Sequence, residues 1–324
     1  MTQTLPSEKP QILSFIDRLR SGDVRALARA VSLVENDAPL AAEVLSECFP
    51  FTGRALRIGI TGSPGAGKST IVDKLARHYR ASGISVGVIA VDPTSAFTGG
   101  AILGDRIRMQ ENLGDTGFYV RSMATRGALG GLARTTADVA SVIEASGKDV
   151  ILIETVGVGQ DEIDIVRLAD VTVVVLVPGM GDDVQSLKAG VMEIGDIFVV
   201  NKADREGADR VEKEVRAMQS LATQHGDWIS PVVKTVASTG EGIDRLTEAI
   251  AQMKEWLESE GRMESRRRRY WRERILEMMR QSLMRQVREH GLSDAELEAH
   301  VERVVSKEED PYKLVPELVT RVLR

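Results

Sequence analysis

Apolar residues recur at helical spacing over residues 11–48. Ile12, Phe15, Ile16 and Leu19 form one stripe, Ser21-Gly22-Asp23 interrupts it, and Val24, Leu27, Ala28, Val31 and Val34 form a second. Ala41, Val44 and Leu45 begin a third. The spacing predicts a small helical layer, with Pro50 to Gly53 turning the chain into a first strand. From there the period changes. Short, nearly unbroken apolar runs at 55–60, 85–91, 150–153, 171–177, 197–200 and 232–236 alternate with amphipathic stretches such as 70–82. The run at 171–177 is almost entirely β-branched, as expected of a central strand covered on both faces. The pattern predicts an α/β fold: a mostly parallel central sheet flanked by helices, with helices added in front.

Beyond Gly242 only helical spacing is left, at 243–257, over a longer stretch at 264–290, and at about 294–306 and 311–323. Trp271, Ile275, Met278, Met279, Leu283 and Val287 share one face of the long helix. That stripe needs a partner to bury it, which makes the C-terminal segment a candidate dimerisation arm. The run Arg266-Arg267-Arg268-Arg269 suggests a nucleic-acid or acidic-lipid patch, but Glu264, Glu273 and Glu277 lie beside it and favour a solvated basic face. The expected plan is an N-terminal helical segment (1–53), a nucleotide domain (54–260) and a C-terminal helical extension (261–324).

Between the first apolar run and the 70–82 stretch stands Gly62-Ser63-Pro64-Gly65-Ala66-Gly67-Lys68-Ser69-Thr70. This is G-x-x-x-x-G-K-[ST] between strand and helix, the context a P-loop NTPase requires. Glycines at 62, 65 and 67 let successive N–H groups turn inward around phosphate oxygens. A helix beginning near Lys68 aims its positive dipole end at the same anion. Lys68 is expected to neutralise the β- and γ-phosphates, and the Ser69 hydroxyl to ligate Mg²⁺.

Polar or acidic residues recur where apolar runs end, at Asp92, Glu154, Asn201 and Ser238. Ligands of open α/β sheets bind at that edge. Asn201-Lys202-Ala203-Asp204 reads a base. A carboxylate at Asp204 accepts both N1–H and N2–H₂ of guanine, whereas adenine offers an acceptor at N1 and lacks that amino group. Asn201 is expected to tie this loop to the phosphate loop, and the Lys202 stem to cover the base. Ala237-Ser238-Thr239 is expected to bring backbone N–H groups to the guanine O6. The nucleotide is therefore GTP.

Mg²⁺ takes hard oxygen ligands and keeps some waters. Ser69 supplies one oxygen, and Asp92, Asp105 and Glu154 compete for the remaining direct or water-bridged positions. In Glu154-Thr155-Val156-Gly157 the glycine N–H can approach a γ-phosphate, which makes the loop sensitive to hydrolysis. Val158 stands where a water-positioning glutamine often sits, and valine cannot orient water. Hydrolysis by the isolated protein is accordingly expected to be slow. Gln160, Arg108 and Lys188 are candidates for completing the catalytic site, and the sequence does not choose among them.

Composition narrows the class without changing it. Hydrophobic residues make up 43% and charged residues 28% of 324, enough apolar material for a sizeable core. A net charge of -6 argues against broad nonspecific nucleic-acid binding. One cysteine, Cys48, excludes an internal disulfide framework and a cysteine-based zinc site, and is expected in the core. No apolar run is long enough to span a bilayer, and the N-terminus has neither a secretory nor a transit pattern. The expectation is a cytoplasmic protein.

Three longer strings carry a family resemblance: Asp92-Pro93-Thr94-Ser95, Gly99-Gly100-Ala101-Ile102-Leu103-Gly104-Asp105-Arg106-Ile107-Arg108-Met109 and Glu154-Thr155-Val156-Gly157-Val158-Gly159-Gln160. They resemble the MeaB/ArgK GTPases, whose human members are called the methylmalonic aciduria type A protein. The resemblance runs from the N-terminal helices to about residue 260. It implies a homodimeric G-protein chaperone of an adenosylcobalamin-dependent acyl-CoA mutase, usually methylmalonyl-CoA mutase. Such proteins gate cofactor loading and protect the mutase, which would accelerate GTP hydrolysis by reordering the loops. By the same resemblance, Pro178-Gly179-Met180-Gly181-Asp182-Asp183 to Lys188 is similar to the family's additional switch loop. Two other readings compete. An ATP-dependent kinase, a role attached to the ArgK name, is opposed by the guanine-reading motif. A nickel-insertion GTPase would commonly use Cys or His sites, whereas this chain has one Cys and the scattered His78, His225, His290 and His300.

Overall fold

The computed structural model describes residues 9–92, 115–124, 131–155, 168–179, 194–221, 227–287 and 292–322. Seven strands among them form one sheet: β1 (Leu56–Gly62), β2 (Val86–Asp92), β3 (Phe118–Ala124), β4 (Val150–Glu154), β5 (Val171–Leu176), β6 (Ile197–Asn201) and β7 (Val232–Thr235). Their order is β3-β2-β4-β1-β5-β6-β7, and every neighbouring pair is parallel. β4, β5 and β6 are buried along their whole length, which is why they read as unbroken apolar runs rather than alternating ones. β3 is additional to the predicted strands. Its sequence, Phe-Tyr-Val-Arg-Ser-Met-Ala, is broken by Arg121 and Ser122 and so lacks the apolar signature. The sheet edge tolerates the arginine because Glu35 pairs with it.

The helices α4 (Lys68–Ala81), α5 (Gly131–Ala145), α6 (Ala208–Leu221) and α7 (Ile243–Glu258) cover the sheet. The connection from β1 through α4 steps toward β2, and that from β3 through α5 steps back toward β4. Right-handed crossovers in opposite directions place α4 and α5 on opposite faces. In front of the sheet, α1 (Lys9–Arg20), α2 (Val24–Glu35) and α3 (Ala41–Cys48) form the N-terminal layer, which packs on α5. Asp23 caps α2 by accepting from the N–H groups of Arg25 (2.9 Å) and Ala26 (3.1 Å). Leu27, Val31 and Val34 are buried in this layer, each worth about 1.5–3 kcal/mol. Cys48 is fully buried too, and burial, reinforced by Glu47, pushes its thiol up to about 12.

Carboxylates staple the amino edge of the sheet. Glu144 accepts from the N–H groups of Arg54 (2.5 Å) and Ala55 (2.9 Å) and from the Arg57 guanidinium (2.8 Å). Asp170 accepts from Arg57 N (2.9 Å), Asp196 from Thr172 N (2.8 Å) and Asp149 from Ser85 N (2.8 Å). Each takes up a strand-end N–H that the ladder leaves over.

The chain divides between Arg262 and Met263 into two compact units. The helices α8 (Arg262–Gln286), α9 (Asp294–Val305) and α10 (Pro311–Val322) follow the sheet domain. A capping box, Ser293 with Glu296, opens α9. On α8, Ile275, Met278, Met279 and Leu283 are about half exposed, at 52%, 51%, 55% and 48%. Among the described residues no helix is long and apolar enough to cross a membrane.

Candidate nucleotide site

The connection leaving β1 runs toward β2 and the one leaving β4 runs toward β5. The winding therefore reverses between these two adjacent strands, where open α/β sheets form their ligand crevice. β1 ends at Gly62 and β4 at Glu154. Gly62 has φ +136°, and a Cβ there would lie 2.1 Å from the Val175 carbonyl oxygen of β5. Gly67 has φ +91°, and its Cβ would lie 2.4 Å from Asn201 Nδ2. Both positions thus require glycine for space as well as for backbone angle. α4 starts directly after Gly67, so its first-turn amides open onto the loop.

Lys68 is buried, and its Nζ donates to the carbonyl oxygens of Gly62 (2.7 Å) and Ser63 (3.1 Å). The ammonium lies folded into the loop it follows, with Pro64 and Gly65 exposed at the tip. One residue on, Ser69 Oγ donates to Glu154 Oε1 at 2.5 Å, bridging α4 to the end of β4. Thr70 completes that first turn. Asp92 is the last residue of β2, two positions beyond Ala90, the register partner of Glu154. It shares the carboxyl edge. Asp105, Arg108, Gln160 and Lys188 lie outside the described residues, as do Gly157, Val158 and the switch-loop residues from Met180 onward.

The residues expected to read the base gather at the ends of β6 and β7. Asn201 Nδ2 donates to the Ala66 carbonyl at 2.8 Å, while its Oδ1 accepts from Thr235 Oγ1 (3.0 Å) and Ala237 N (3.1 Å). One buried amide thereby joins the phosphate loop to the loop after β7. Lys202 adopts left-handed φ, +55°, and its Nζ donates to the Gly65 carbonyl at 2.8 Å. Ala203 N bonds Thr235 O (3.0 Å) and Arg205 N bonds Lys202 O (3.0 Å), fixing that turn on both sides. Asp204 is exposed and accepts no hydrogen bond from the described residues, leaving both carboxylate oxygens open to donors. In the loop after β7 the amide of Ala237 is engaged by Asn201 and that of Thr239 by Val236. Ser238 carries the amide that bonds none of the described residues. Thr235 went unnoticed in the sequence, because a hydroxyl at a strand end matches no motif. Only the register of β6 against β7, Asn201 beside Thr235, reveals it.

The arrangement is an anion cradle flanked by a hydroxyl–carboxylate pair on one side and an exposed carboxylate on the other. The family model described as methylmalonyl Co-A mutase-associated GTPase MeaB matches residues 27–291. A Pyrococcus abyssi protein named as a GTPase is 49% identical over 312 residues, 95% of this chain and 96% of that one. The mouse protein named methylmalonic aciduria type A homolog, mitochondrial, is 35% identical over 283 residues, 81% of this chain and 68% of that one. Among solved structures, the crystal structure of an LAO/AO transport system kinase has 26% identity and a TM-score of 0.71, covering 97% of this chain and 98% of that one. With the family match running from the N-terminal layer through the phosphate and base loops, the chain belongs to the MeaB family of P-loop GTPases.

Proposed function

We propose that this GTPase uses Mg²⁺ and passes its nucleotide state to an adenosylcobalamin-dependent acyl-CoA mutase of the methylmalonyl-CoA type, gating cofactor loading and protecting the enzyme. The observation that carries the nucleotide half is the Ser69–Glu154 contact at 2.5 Å beside Lys68. The partner half rests on the family's description as mutase-associated.

The donor set fits Mg²⁺: a hydroxyl and a carboxylate, both hard oxygens, already within hydrogen-bond distance of each other. Among the described residues no three His, Cys, Asp or Glu side chains converge on one point. The ion's remaining ligands would come from phosphate oxygens and water. When bound, Mg²⁺ would withdraw charge from the β- and γ-phosphate oxygens. The chain's own groups do the rest. Loop amides and the α4 amino end hold the phosphates, and Lys68 moves from loop carbonyls onto the phosphate charge that develops in hydrolysis. Asp204 orients guanine, with Ser238 N–H facing O6. Asp92 and Asp105 are further candidates for the metal, and Arg108, Gln160 and Lys188 for orienting the attacking water. The exposed stripe of α8 is proposed as a homodimer contact, and Met279→Glu would then lower the solution mass measured by light scattering to that of one chain.

The test is GTP turnover with and without the host's purified adenosylcobalamin-dependent acyl-CoA mutase, together with co-elution in GDP and in a non-hydrolysable GTP analogue. Slow turnover alone, accelerated by the mutase, is expected. Equal turnover in both conditions with no complex in either nucleotide state would remove the chaperone assignment and leave the GTPase. ATP competing with GTP at similar concentration would revive the kinase reading.

A further inference from the structure

We propose that Thr61 and Thr155 are positioning residues for GTP hydrolysis, forming a buried hydroxyl bridge that fixes where the chain leaves β4 and so holds Glu154 against Ser69. The proposal rests on the nucleotide half of the reading above. Thr155 is the first residue past β4 and is 2% exposed; Thr61, next to last in β1, is 0% exposed. Thr155 Oγ1 donates to Thr61 Oγ1 at 3.0 Å. The Thr155 amide donates to the Ile60 carbonyl, also at 3.0 Å, continuing the ladder whose last register pair is Ile60 with Glu154.

Two bonds from one residue, one from the backbone and one from the side chain, clamp the strand end to β1. Packing alone does not ask for them. Valine at both positions would fill nearly the same volume without burying two hydroxyls, which need partners when taken from water. The clamp acts on chemistry through strand geometry. Successive side chains leave a strand on opposite sides, so locking Thr155 on one side sets the rotation of the strand and the direction of Glu154 on the other. Glu154 is the residue in contact with Ser69 Oγ. Thr155 also stands two residues before Gly157, the glycine expected to approach the γ-phosphate, so the bridge lies where that loop leaves β4.

The experiment compares Thr155→Val, Thr61→Val, Thr155→Ser and the Thr61→Val/Thr155→Val pair in the full chain. GTP turnover, affinity for a fluorescent GDP and thermal melting are measured on each. Thr155→Val is expected to lower kcat about tenfold, with KM for GTP and the GDP affinity within about twofold of the parent. Thr155→Ser, which keeps the hydroxyl, is expected to restore kcat. The double variant is expected to melt near the parent, because both hydroxyls are gone, and yet to stay as slow as the single. Parental kcat in Thr155→Val would overturn the proposal. So would a double variant that recovers activity along with stability, since the bridge would then be structural only. A parent chain that binds no GDP and turns over no GTP would overturn the nucleotide reading and the proposal with it, an outcome distinct from an active parent with an indifferent Thr155→Val.

Discussion

The two edges of the sheet use the same kinds of side chain for opposite ends. At the amino edge, Glu144, Asp149, Asp170 and Asp196 each accept from an N–H in the first two residues of a strand or just before it. Their charge is answered inside the fold. At the carboxyl edge, Lys68, Asn201 and Lys202 bond loop carbonyls, Ser69 bonds Glu154, and Asp204 accepts nothing from the described residues. Asn201 and Lys202 thereby join the base loop to the phosphate loop, and Lys68 closes the phosphate loop on itself. A buried acid at a strand end is therefore not a functional signal by itself. Which edge it stands on decides whether it staples a strand or faces a ligand.

Removing an amino-edge staple should cost stability and spare the ligand. Glu144→Ala leaves the Arg57 guanidinium and the N–H groups of Arg54 and Ala55 without their shared acceptor in a buried setting. A loss of about 3–5 kcal/mol is expected from urea unfolding, with GDP affinity unchanged in the protein that stays folded. A variant that unfolds normally but loses GDP would break the division between the edges. Lys68→Ala is expected to do the reverse. Unfolding should shift little, while kcat for GTP falls about 100- to 1,000-fold, as when one preorganised donor is removed from a developing charge. Wild-type turnover in that variant would take Lys68 out of the chemistry.

Asp204→Ala sharpens the comparison within the carboxyl edge. Loss of the carboxylate proposed to pair with two guanine donors should weaken GTP binding about 10- to 100-fold, measured by titration, without improving ATP binding. Its melting temperature should stay put, because Asp204 is exposed and accepts no hydrogen bond from the described residues. The smallest effect belongs to Asp115 at the amino edge. The Arg80 guanidinium beside it holds its carboxyl below the usual 3.8. A carboxyl whose folded value is lowered contributes stability that is fully present above 3.8 and is lost as pH falls toward the lowered folded value. Both groups are partly exposed, so solvent screens the pair. Urea midpoints between about pH 3 and 5 should fall slightly less steeply for Asp115→Asn than for the parent.

Much of this was legible in the chain. Six of the strands follow apolar runs, most plainly β4, β5 and β6, because strands buried on both faces leave an unbroken apolar record, and the phosphate and base motifs are short, local and chemically constrained. β3 was not legible, because Arg121 sits in it and is tolerated only where Glu35 of α2 comes to meet it. α5 escaped for a related reason: it packs on both the sheet and the N-terminal layer, so no clean stripe marks it. α6 does carry a stripe, Ala208, Val211 and Val215, but a short one in a polar helix. Thr235 and the Thr61–Thr155 pair were invisible, since a threonine at the end of a β-branched strand reads as one more strand residue.

The order of residues by itself determined a P-loop GTPase, because a glycine turn before a helix and a guanine-reading tetrapeptide work through backbone angles and adjacent side chains. It did not determine which acid at that edge meets the Ser69 hydroxyl. Asp92 and Glu154 both end apolar runs, and Ser69 bonds Glu154. The strand order decides this: β4 lies directly beside β1, which leads into the phosphate loop, whereas β2 stands one strand further out, and which strands lie side by side is a tertiary choice that neither residue's neighbours encode.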